Sequence, residues 1–201
     1  MKLHYSPQVC SLVPHIVLLQ LGVPFELEKY DFKTKLAADG TALATVTPKD
    51  YVPALDLDDG YRLTECSVII RHLADTHPGA KLAPPPGTPE RMRFEELLHF
   101  ISTELHKGFA PFTLYPNSSP ETLAYAKERL ASRVEILRPM LGDRQFLFGD
   151  TFTIADAYAF WALRAYSFVT RTKLEGTLKE YLARMTEWPT IKAAVDHEKR
   201  A

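Results

Sequence analysis

The first 80 residues alternate between extended and helical patterns of apolar side chains. Lys2–Tyr5 and Phe25–Tyr30 have the pattern of β-strands. Between them, Leu12, Ile16 and Leu19 recur at the spacing that places them on one face of a helix. Residues 32–46 are predicted to be irregular or weakly helical. Two strands follow, Pro53–Leu57 and Tyr61–Leu63, joined by a hairpin turn at Asp58-Asp59-Gly60, and then a helix over Glu65–His77. The predicted order is β-α-β-α-β-β-α.

From residue 89 onward, apolar positions recur at helical spacing throughout. The stretch Ile154–Leu163 is apolar on nearly every side, which predicts a helix buried in the middle of its domain. Thr153 and Asp156 at its start have the spacing of a capping box. The other predicted helices lie around Phe94–Leu105, Leu123–Leu141, Leu174–Thr186 and Thr190–Glu198. The fold class is therefore α+β, with an all-α C-terminal domain of about five helices.

A run rich in proline and glycine separates the two patterns, between Pro78 and Pro89. Residues of this kind at this density stop regular structure and form a semi-rigid connector. We predict an N-terminal domain over residues 1–78, a linker over 79–88 and a helical domain over 89–201.

Charge and cysteine content limit the partners and the compartment. Lys and Arg number 24 and Asp and Glu 25, so the net charge of −1 argues against a nucleic-acid partner. No window approaches the ~18 apolar residues of a membrane span, and the N-terminus lacks the pattern of a signal peptide. The two cysteines, Cys10 and Cys66, are too few for a disulfide scaffold. We expect a cytoplasmic protein that contacts no membrane.

Cys10 is the clearest candidate for a chemically reactive residue. It lies between the first predicted strand and the first predicted helix. The unpaired amides and the dipole of a helix N-terminus favour the ionised form of a thiol held there. The sequence therefore indicates either a reactive sulfur or a sulfur-binding site, although a lone cysteine can also be an inert packed thiol.

Two further positions near predicted strands and helices allow two interpretations each. Val52-Pro53 opens the third strand, where a proline can be a plain turn residue or part of a cis peptide. A cis bond would turn the Val52 main chain outward to pair with an extended peptide. Glu65 begins the last helix of the first domain, where it can complement the helix dipole or bind a ligand ammonium.

His99, Thr103 and His106 recur at i, i+4 and i+7 opposite the apolar face of their helix. This polar but weakly charged face is either solvated or part of a cleft or interface. A metal site is not predicted, because the two histidines lie two turns apart and no third ligand follows at the required spacing.

These residues together resemble the glutathione S-transferases, and most closely the bacterial beta class. The resemblance covers essentially the whole chain. The matching stretches are Lys2-Leu3 to Tyr5, Cys10-Ser11-Leu12 with His15, Pro48-Lys49, Val52-Pro53-Ala54-Leu55, Asp58-Asp59-Gly60, Leu63-Thr64-Glu65, Leu73-Ala74-Asp75, Glu104-Leu105-His106-Lys107-Gly108-Phe109 and Phe152-Thr153-Ile154-Ala155-Asp156-Ala157-Tyr158. Cys10 with Glu-Leu-His-Lys at this separation is the most specific feature.

The resemblance implies a thioredoxin-like N-terminal domain, a homodimer, and glutathione as co-substrate, with no metal. It implies that glutathione contacts Cys10, Lys35, Val52, Pro53, Glu65, Cys66, His99, Thr103, Glu104 and His106. Cys10 would face the glutathione sulfur, and Lys35 would meet the glycyl carboxylate. Glu65 and the Cys66 amide would hold the γ-glutamyl end. Cys10, His106 and the Ser11 hydroxyl would be the catalytic groups that stabilise the thiolate.

The function so implied is conjugation of the glutathione thiol to hydrophobic electrophiles in detoxification. Two alternatives stay open: a monothiol thiol–disulfide oxidoreductase acting through a Cys10–glutathione mixed disulfide, and a non-enzymatic ligand-binding protein. The sequence departs from the family pattern at several positions. Asp50-Tyr51 replaces a pair that usually contains glycine, His99 stands where asparagine is common, and Cys66 stands where Ser or Gly is usual.

Overall fold

The strands and helices follow one another as the apolar pattern predicts. The computed structural model describes residues 1–115 and 117–200. The strands are β1 (Lys2–Tyr5), β2 (Glu26–Lys29), β3 (Ala54–Asp56) and β4 (Arg62–Thr64). The α-helices are α1 (Leu12–Leu21), α2 (Leu43–Val46), α3 (Cys66–Thr76), α4 (Pro89–Phe100), α5 (Ala110–Thr113), α6 (Pro120–Leu141), α7 (Ile154–Thr170), α8 (Gly176–Thr186) and α9 (Pro189–Arg200). The described residues also contain a π-helical turn (Ile101–His106) and two 3₁₀ turns (Pro78–Ala80, Lys107–Phe109).

Contacts divide the chain into two units. The first unit contains Met1–Ala80 together with Trp188–Ala201, and the second contains Lys81–Glu187. The predicted domain bounds stay a prediction, but this division differs from them at the C-terminus, where α9 groups with the N-terminal residues. Helix α9 packs against α1, and both buried apolar side chains and polar contacts of α9 belong to this unit.

In the first unit, the sheet has the strand order β2-β1-β3-β4. β1 runs parallel to β2 and antiparallel to β3, and β3 is antiparallel to β4. The predicted β-α-β-α-β-β-α order and the thioredoxin-like fold are confirmed. Helix α1 is buried from Leu12 to Leu18, which fits its almost wholly apolar sequence. It ends at Gly22, whose φ of 66° is the left-handed conformation that glycine adopts without strain.

The contacts of α9 with α1 and the turn before it define what we call the C-terminal junction: Gln8, His15 and Glu198. The Nδ1 of His15 donates to Oε1 of Glu198 over 2.9 Å, and both side chains are buried. The backbone N–H of Gln8 donates to the other oxygen, Oε2, over 2.6 Å. At the other end of α9, the side chains of Trp188 and Thr190 donate to Oε1 of Gln20. These contacts connect α9 to both ends of α1.

In the second unit, α7 is buried over most of its length, as predicted. Its capping box is present: Thr153 accepts from the N3 amide, and Asp156 accepts from the Thr153 backbone N–H over 2.9 Å. Asp156 is fully buried and also accepts from the Leu147 backbone N–H and the Tyr181 hydroxyl. The predicted all-helical character of this part of the chain is confirmed.

The helix that carries His99 and His106 departs from its predicted geometry. The sequence predicts one α-helix through Leu105, but the α-helical part ends at Phe100 and a π-helical turn follows over Ile101–His106. The predicted apolar face is nevertheless kept, because Phe94, Leu97, Leu98, Ile101 and Leu105 are buried while His99 and Thr103 are exposed and His106 is half-buried. Turns of the π type are rare and occur frequently at functional sites.

Candidate active site

Cys10 lies half-buried in the turn between β1 and α1, as the sequence predicts. Its Sγ donates to the main-chain carbonyl of Val52 over 3.4 Å. Its own carbonyl accepts from the Val13 backbone N–H over 3.1 Å and from the Cys66 Sγ over 3.7 Å. The first unit therefore brings the thiol together with the residue before β3 and the first residue of α3.

The peptide bond between Val52 and Pro53 is cis, which confirms the less common of the two interpretations. The Val52 carbonyl is not left open, however, because it accepts from the Cys10 thiol. An ionised Cys10 has no proton to donate, so loss of that proton would release this carbonyl for a ligand.

Ser11 is fully buried, and its hydroxyl is engaged away from the sulfur. The hydroxyl accepts from the Ser6 backbone N–H over 3.1 Å and donates to the Ser6 carbonyl over 2.9 Å. The catalytic role of Ser11 stays a prediction, and in this structure its hydroxyl proton is donated to the Ser6 carbonyl. Ser11 fixes the turn that carries Cys10.

Glu65 precedes α3 with a φ of 70°, and its carboxylate already holds two donors. Lys49 Nζ and the Tyr51 hydroxyl each donate to Oε1 over 2.7 Å. Partial burial, and then the hydrogen bond to Glu65, raises the pKa of Tyr51. The bond to Glu65 also raises the pKa of Lys49. A ligand ammonium at Glu65 would therefore meet a carboxylate that lysine and tyrosine also contact.

Lys35 also has a partner within the protein, namely Asp50. Its Nζ donates to the main-chain carbonyl of Asp50 and lies 3.6 Å from Oδ2 of the same residue. Both side chains are partly exposed, at 39% for Lys35 and 46% for Asp50. The two charged groups expected to bind the ends of glutathione thus both contact the stretch from Lys49 to Tyr51.

In the second unit, His106 has a well-defined set of partners. Its Nδ1 forms a 2.7 Å hydrogen bond with the hydroxyl of Tyr158 on α7. The ring packs edge-to-face against Trp161, with 4.5 Å between centroids. Phe109 packs against the same indole at 5.8 Å. Side chains of α7 therefore orient His106, and aromatic rings pack against its imidazole.

The other polar residues predicted near His106 have local partners. His99 is exposed, and its Nδ1 donates to the Glu95 carbonyl. The Thr103 hydroxyl donates to the His99 carbonyl. Oε2 of Glu104 accepts from Arg129 and Arg133 of α6, each over 2.8 Å. These contacts stabilise the helices of the second unit, and the predicted contacts with glutathione stay a prediction.

Sequence reasoning did not find the contacts of Lys49, Asp50 and Tyr158, or the C-terminal junction. Lys49 and Asp50 lie in a loop, whose side-chain partners have no periodic signal. Within residues 1–115 and 117–200, no group of three or more His, Cys, Asp or Glu side chains is arranged to hold a metal ion. In the same residues, no helix combines the length and apolar character needed to cross a membrane.

Comparison with known proteins gives the same assignment over both units. Residues 9–76 match the family model described as "Glutathione S-transferase, N-terminal domain", and residues 100–193 match "Glutathione S-transferase, C-terminal domain". Glutathione S-transferase GstA of Escherichia coli O157:H7 is 38% identical over 98% of each chain.

Solved structures extend the comparison to the fold. A sphingomonad glutathione S-transferase complexed with glutathione is 35% identical, with a TM-score of 0.91 and full coverage of both chains. The bacterial beta class glutathione S-transferase of Sphingomonas chungbukensis is 36% identical, with a TM-score of 0.90 and the same coverage.

The chain therefore belongs to the glutathione S-transferase family. Its predicted resemblance to the bacterial beta class is confirmed by the Sphingomonas structure. The transferase assignment is confirmed as well, and the comparisons favour neither the oxidoreductase nor the non-enzymatic alternative. The family assignment carries with it glutathione as co-substrate.

Proposed function

We propose that this chain joins the thiol of glutathione to hydrophobic electrophiles. In that reaction the glutathione sulfur loses its proton to water or a nearby base and donates an electron pair to an electrophilic carbon. A carbon–sulfur bond forms, and where the carbon carries a halogen, the carbon–halogen bond breaks and a halide leaves. The enzyme contributes by holding the tripeptide and by favouring its thiolate form.

The observation that carries this proposal is the grouping of Cys10, Val52 and Cys66 in the first unit. The Val52 main chain would pair with the cysteinyl backbone of glutathione, which places the ligand sulfur at Cys10. Cys66 is the first residue of α3, where the helix dipole favours an anion. Its backbone N–H is therefore suited to bind the γ-glutamyl carboxylate. Glu65 would take the ammonium of the same end, in exchange with Lys49 and Tyr51.

Two roles are open to the Cys10 sulfur. As a neutral thiol it would donate a hydrogen bond to the glutathione thiolate, as it does here to the Val52 carbonyl. In an oxidised sample it would instead form a mixed disulfide with glutathione. Intact mass before and after reductant distinguishes the two, since only the mixed disulfide loses one glutathionyl group.

His106, His99, Thr103 and Glu104 enter the proposal through the family resemblance. Of these, His106 is the best candidate for a catalytic role, because Tyr158 and Trp161 fix the orientation of its imidazole. The apolar aromatic side chains next to it would suit a hydrophobic electrophile. Glu104 is the weakest candidate, since two arginines already neutralise it.

The assembly and the compartment complete the proposal. We expect a homodimer, which size-exclusion chromatography with light scattering would detect at twice the mass of one chain. We expect a cytoplasmic location, because both cysteines are free thiols, which suits a reducing compartment.

Calorimetry with glutathione and an activity assay with 1-chloro-2,4-dinitrobenzene test the proposal together. We expect saturable binding of glutathione and enzyme-dependent conjugation. Glu65→Gln should weaken binding about tenfold, since it removes the charge that faces the ammonium. Glu26→Gln, a matched change at an exposed glutamate of β2, should leave binding unchanged. A flat calorimetric trace together with no conjugation would refute the proposal.

Cys10→Ala separates the transferase from the oxidoreductase. Reduction of a hydroxyethyl–glutathione mixed disulfide should be a minor activity of the wild-type enzyme and should vanish in Cys10→Ala. If conjugation persists in this variant, Cys10 is a redox-active residue rather than the group that activates the thiol.

A further inference from the structure

Asp50 lies next to Lys35, the residue that is expected to bind the glycyl end of glutathione. The Lys35 ammonium lies 3.6 Å from Oδ2 of Asp50 and donates to the main-chain carbonyl of the same residue. The main-chain contact positions the lysine, and the side-chain contact neutralises it. The net charge of this pair is therefore zero.

The backbone allows the charge of Asp50 to be tested without disturbing the loop. Asp50 has a φ of 51°, in the left-handed region that Asn and Asp tolerate better than most residues. Asparagine at this position would keep the shape of the side chain and the bond from Lys35 to the main-chain carbonyl. Only the negative charge would be lost.

We infer that Asp50 is a specificity-determining residue that removes the preference for a free glycyl carboxylate. This inference rests on the proposed function, with Lys35 facing the third residue of the tripeptide. A ligand carboxylate near Lys35 would be attracted by the ammonium and repelled by Asp50 to a similar extent. The site would accordingly accept γ-glutamyl-cysteinyl-glycine thiols with an esterified or amidated glycyl end about as well as glutathione itself.

The expected size of the effect follows from the exposure of the pair. Both side chains are about two-fifths exposed, so water screens them and the interaction resembles that of surface charges. One unit charge at ~4 Å in a water-like dielectric changes an equilibrium about fivefold. Each unit of charge at this pair should change the preference by about that factor.

The measurement is the ratio of kcat/KM for glutathione to kcat/KM for its glycyl monoethyl ester. The pair carries no net charge in the wild type and in the double variant Asp50→Asn/Lys35→Gln. It carries +1 in Asp50→Asn and −1 in Lys35→Gln. We expect a ratio within about twofold of one in the first two enzymes, about fivefold higher in Asp50→Asn and about fivefold lower in Lys35→Gln. High salt should compress this series, because it screens exposed charges.

Asp59→Asn is the matched control, since it removes the same charge from an exposed aspartate in the hairpin turn. Its ratio should equal that of the wild type. A wild-type ratio above tenfold, or an Asp50→Asn ratio equal to the wild-type value, would overturn the inference while leaving the proposed function intact. Absence of turnover with both thiols would overturn the proposed function, and the inference with it.

Discussion

The first unit contains two groups of charged contacts that differ in their exposure to water. At the C-terminal junction, the carboxylate of Glu198 and the ring of His15 are buried and joined over 2.9 Å. In the stretch Lys49–Tyr51, Lys49 and Asp50 pair with Glu65 and Lys35 while each side chain stays about two-fifths exposed. A buried carboxylate that loses its partners pays a full desolvation penalty, whereas an exposed pair can exchange its partner for water or a ligand. The C-terminal junction therefore stabilises the fold, whereas the stretch Lys49–Tyr51 is suited to bind a ligand.

Glu198→Ala should produce the largest loss of stability. It leaves the Gln8 backbone N–H and the His15 ring without their acceptor, so we expect about 3 kcal/mol lower free energy of unfolding. Urea denaturation measures this change. Asp196→Ala is the matched control on the same helix, because its pair with Lys199 is exposed and should contribute less than about 0.5 kcal/mol. Equal losses in the two variants would contradict the comparison.

The second unit offers a parallel test at Asp156, which accepts four hydrogen bonds inside the protein. Asp156→Asn turns an amide NH₂ toward at least one of these donors, so we expect about 2 kcal/mol lower stability. Burial raises the pKa of Asp156. The wild-type advantage should therefore be greatest below the ordinary aspartate pKa and should shrink as the pH rises through the raised value. Urea denaturation of both proteins between pH 4 and 7 tests this, and an advantage that grows with pH would contradict it.

Asp56 lies between the two extremes, with 29% of its side chain exposed. Hydrogen bonds from Arg62 first and His4 second lower the pKa of Asp56 to about 2. Because the folded pKa is depressed, this contribution to stability is complete above the ordinary value of 3.8 and is lost as the pH falls through 2. After allowance for solvent screening, we expect the loss to be about 1 kcal/mol.

Unfolding at pH 5 and at pH 2 measures this contribution, by comparing the wild type with Asp56→Asn. Asp59→Asn is again the exposed control. If the stability of Asp56→Asn falls as much as that of the wild type between these two pH values, the carboxylate makes no such contribution.

The same contrast explains which parts of the molecule could be predicted from the sequence. The strands, the hairpin turn and helix α7 follow from apolar spacing and short turn motifs, which are local. The place of Cys10 before α1 was predicted, and the cis peptide before Pro53 was one of the two interpretations that the sequence allowed, because each belongs to one short segment. Hydrogen-bond partners distant in the sequence could not be predicted from local patterns, since His15 and Glu198 are 183 residues apart and His106 and Tyr158 are 52 apart.

Two further positions show what a linear pattern leaves out. The resemblance implies a place for the Ser11 hydroxyl near the sulfur, and in this structure its hydrogen-bond partners are in the Ser6 main chain. The spacing placed His99 and Thr103 on the exposed face of their helix, but it gave no sign of the π turn that begins at Ile101. A linear pattern contains the identity of these residues, while tertiary packing decides where their side chains point.

Tyr51→Phe should have the smallest effect on the stability of the fold. It tests whether the exposed contacts in the stretch Lys49–Tyr51 can be exchanged for a ligand. Tyr51 is exposed, and its hydroxyl shares Oε1 of Glu65 with Lys49. Loss of one hydrogen bond at an exposed carboxylate should change the free energy of unfolding by less than about 0.5 kcal/mol. The ammonium of glutathione would then compete with one donor fewer, so KM for glutathione should fall about two- to threefold with kcat unchanged. Tyr61→Phe, at the exposed tyrosine of the hairpin, should change neither quantity. If Tyr51→Phe raises KM instead, Tyr51 positions Glu65 for the ligand, and this part of the loop supports the site rather than competing with glutathione.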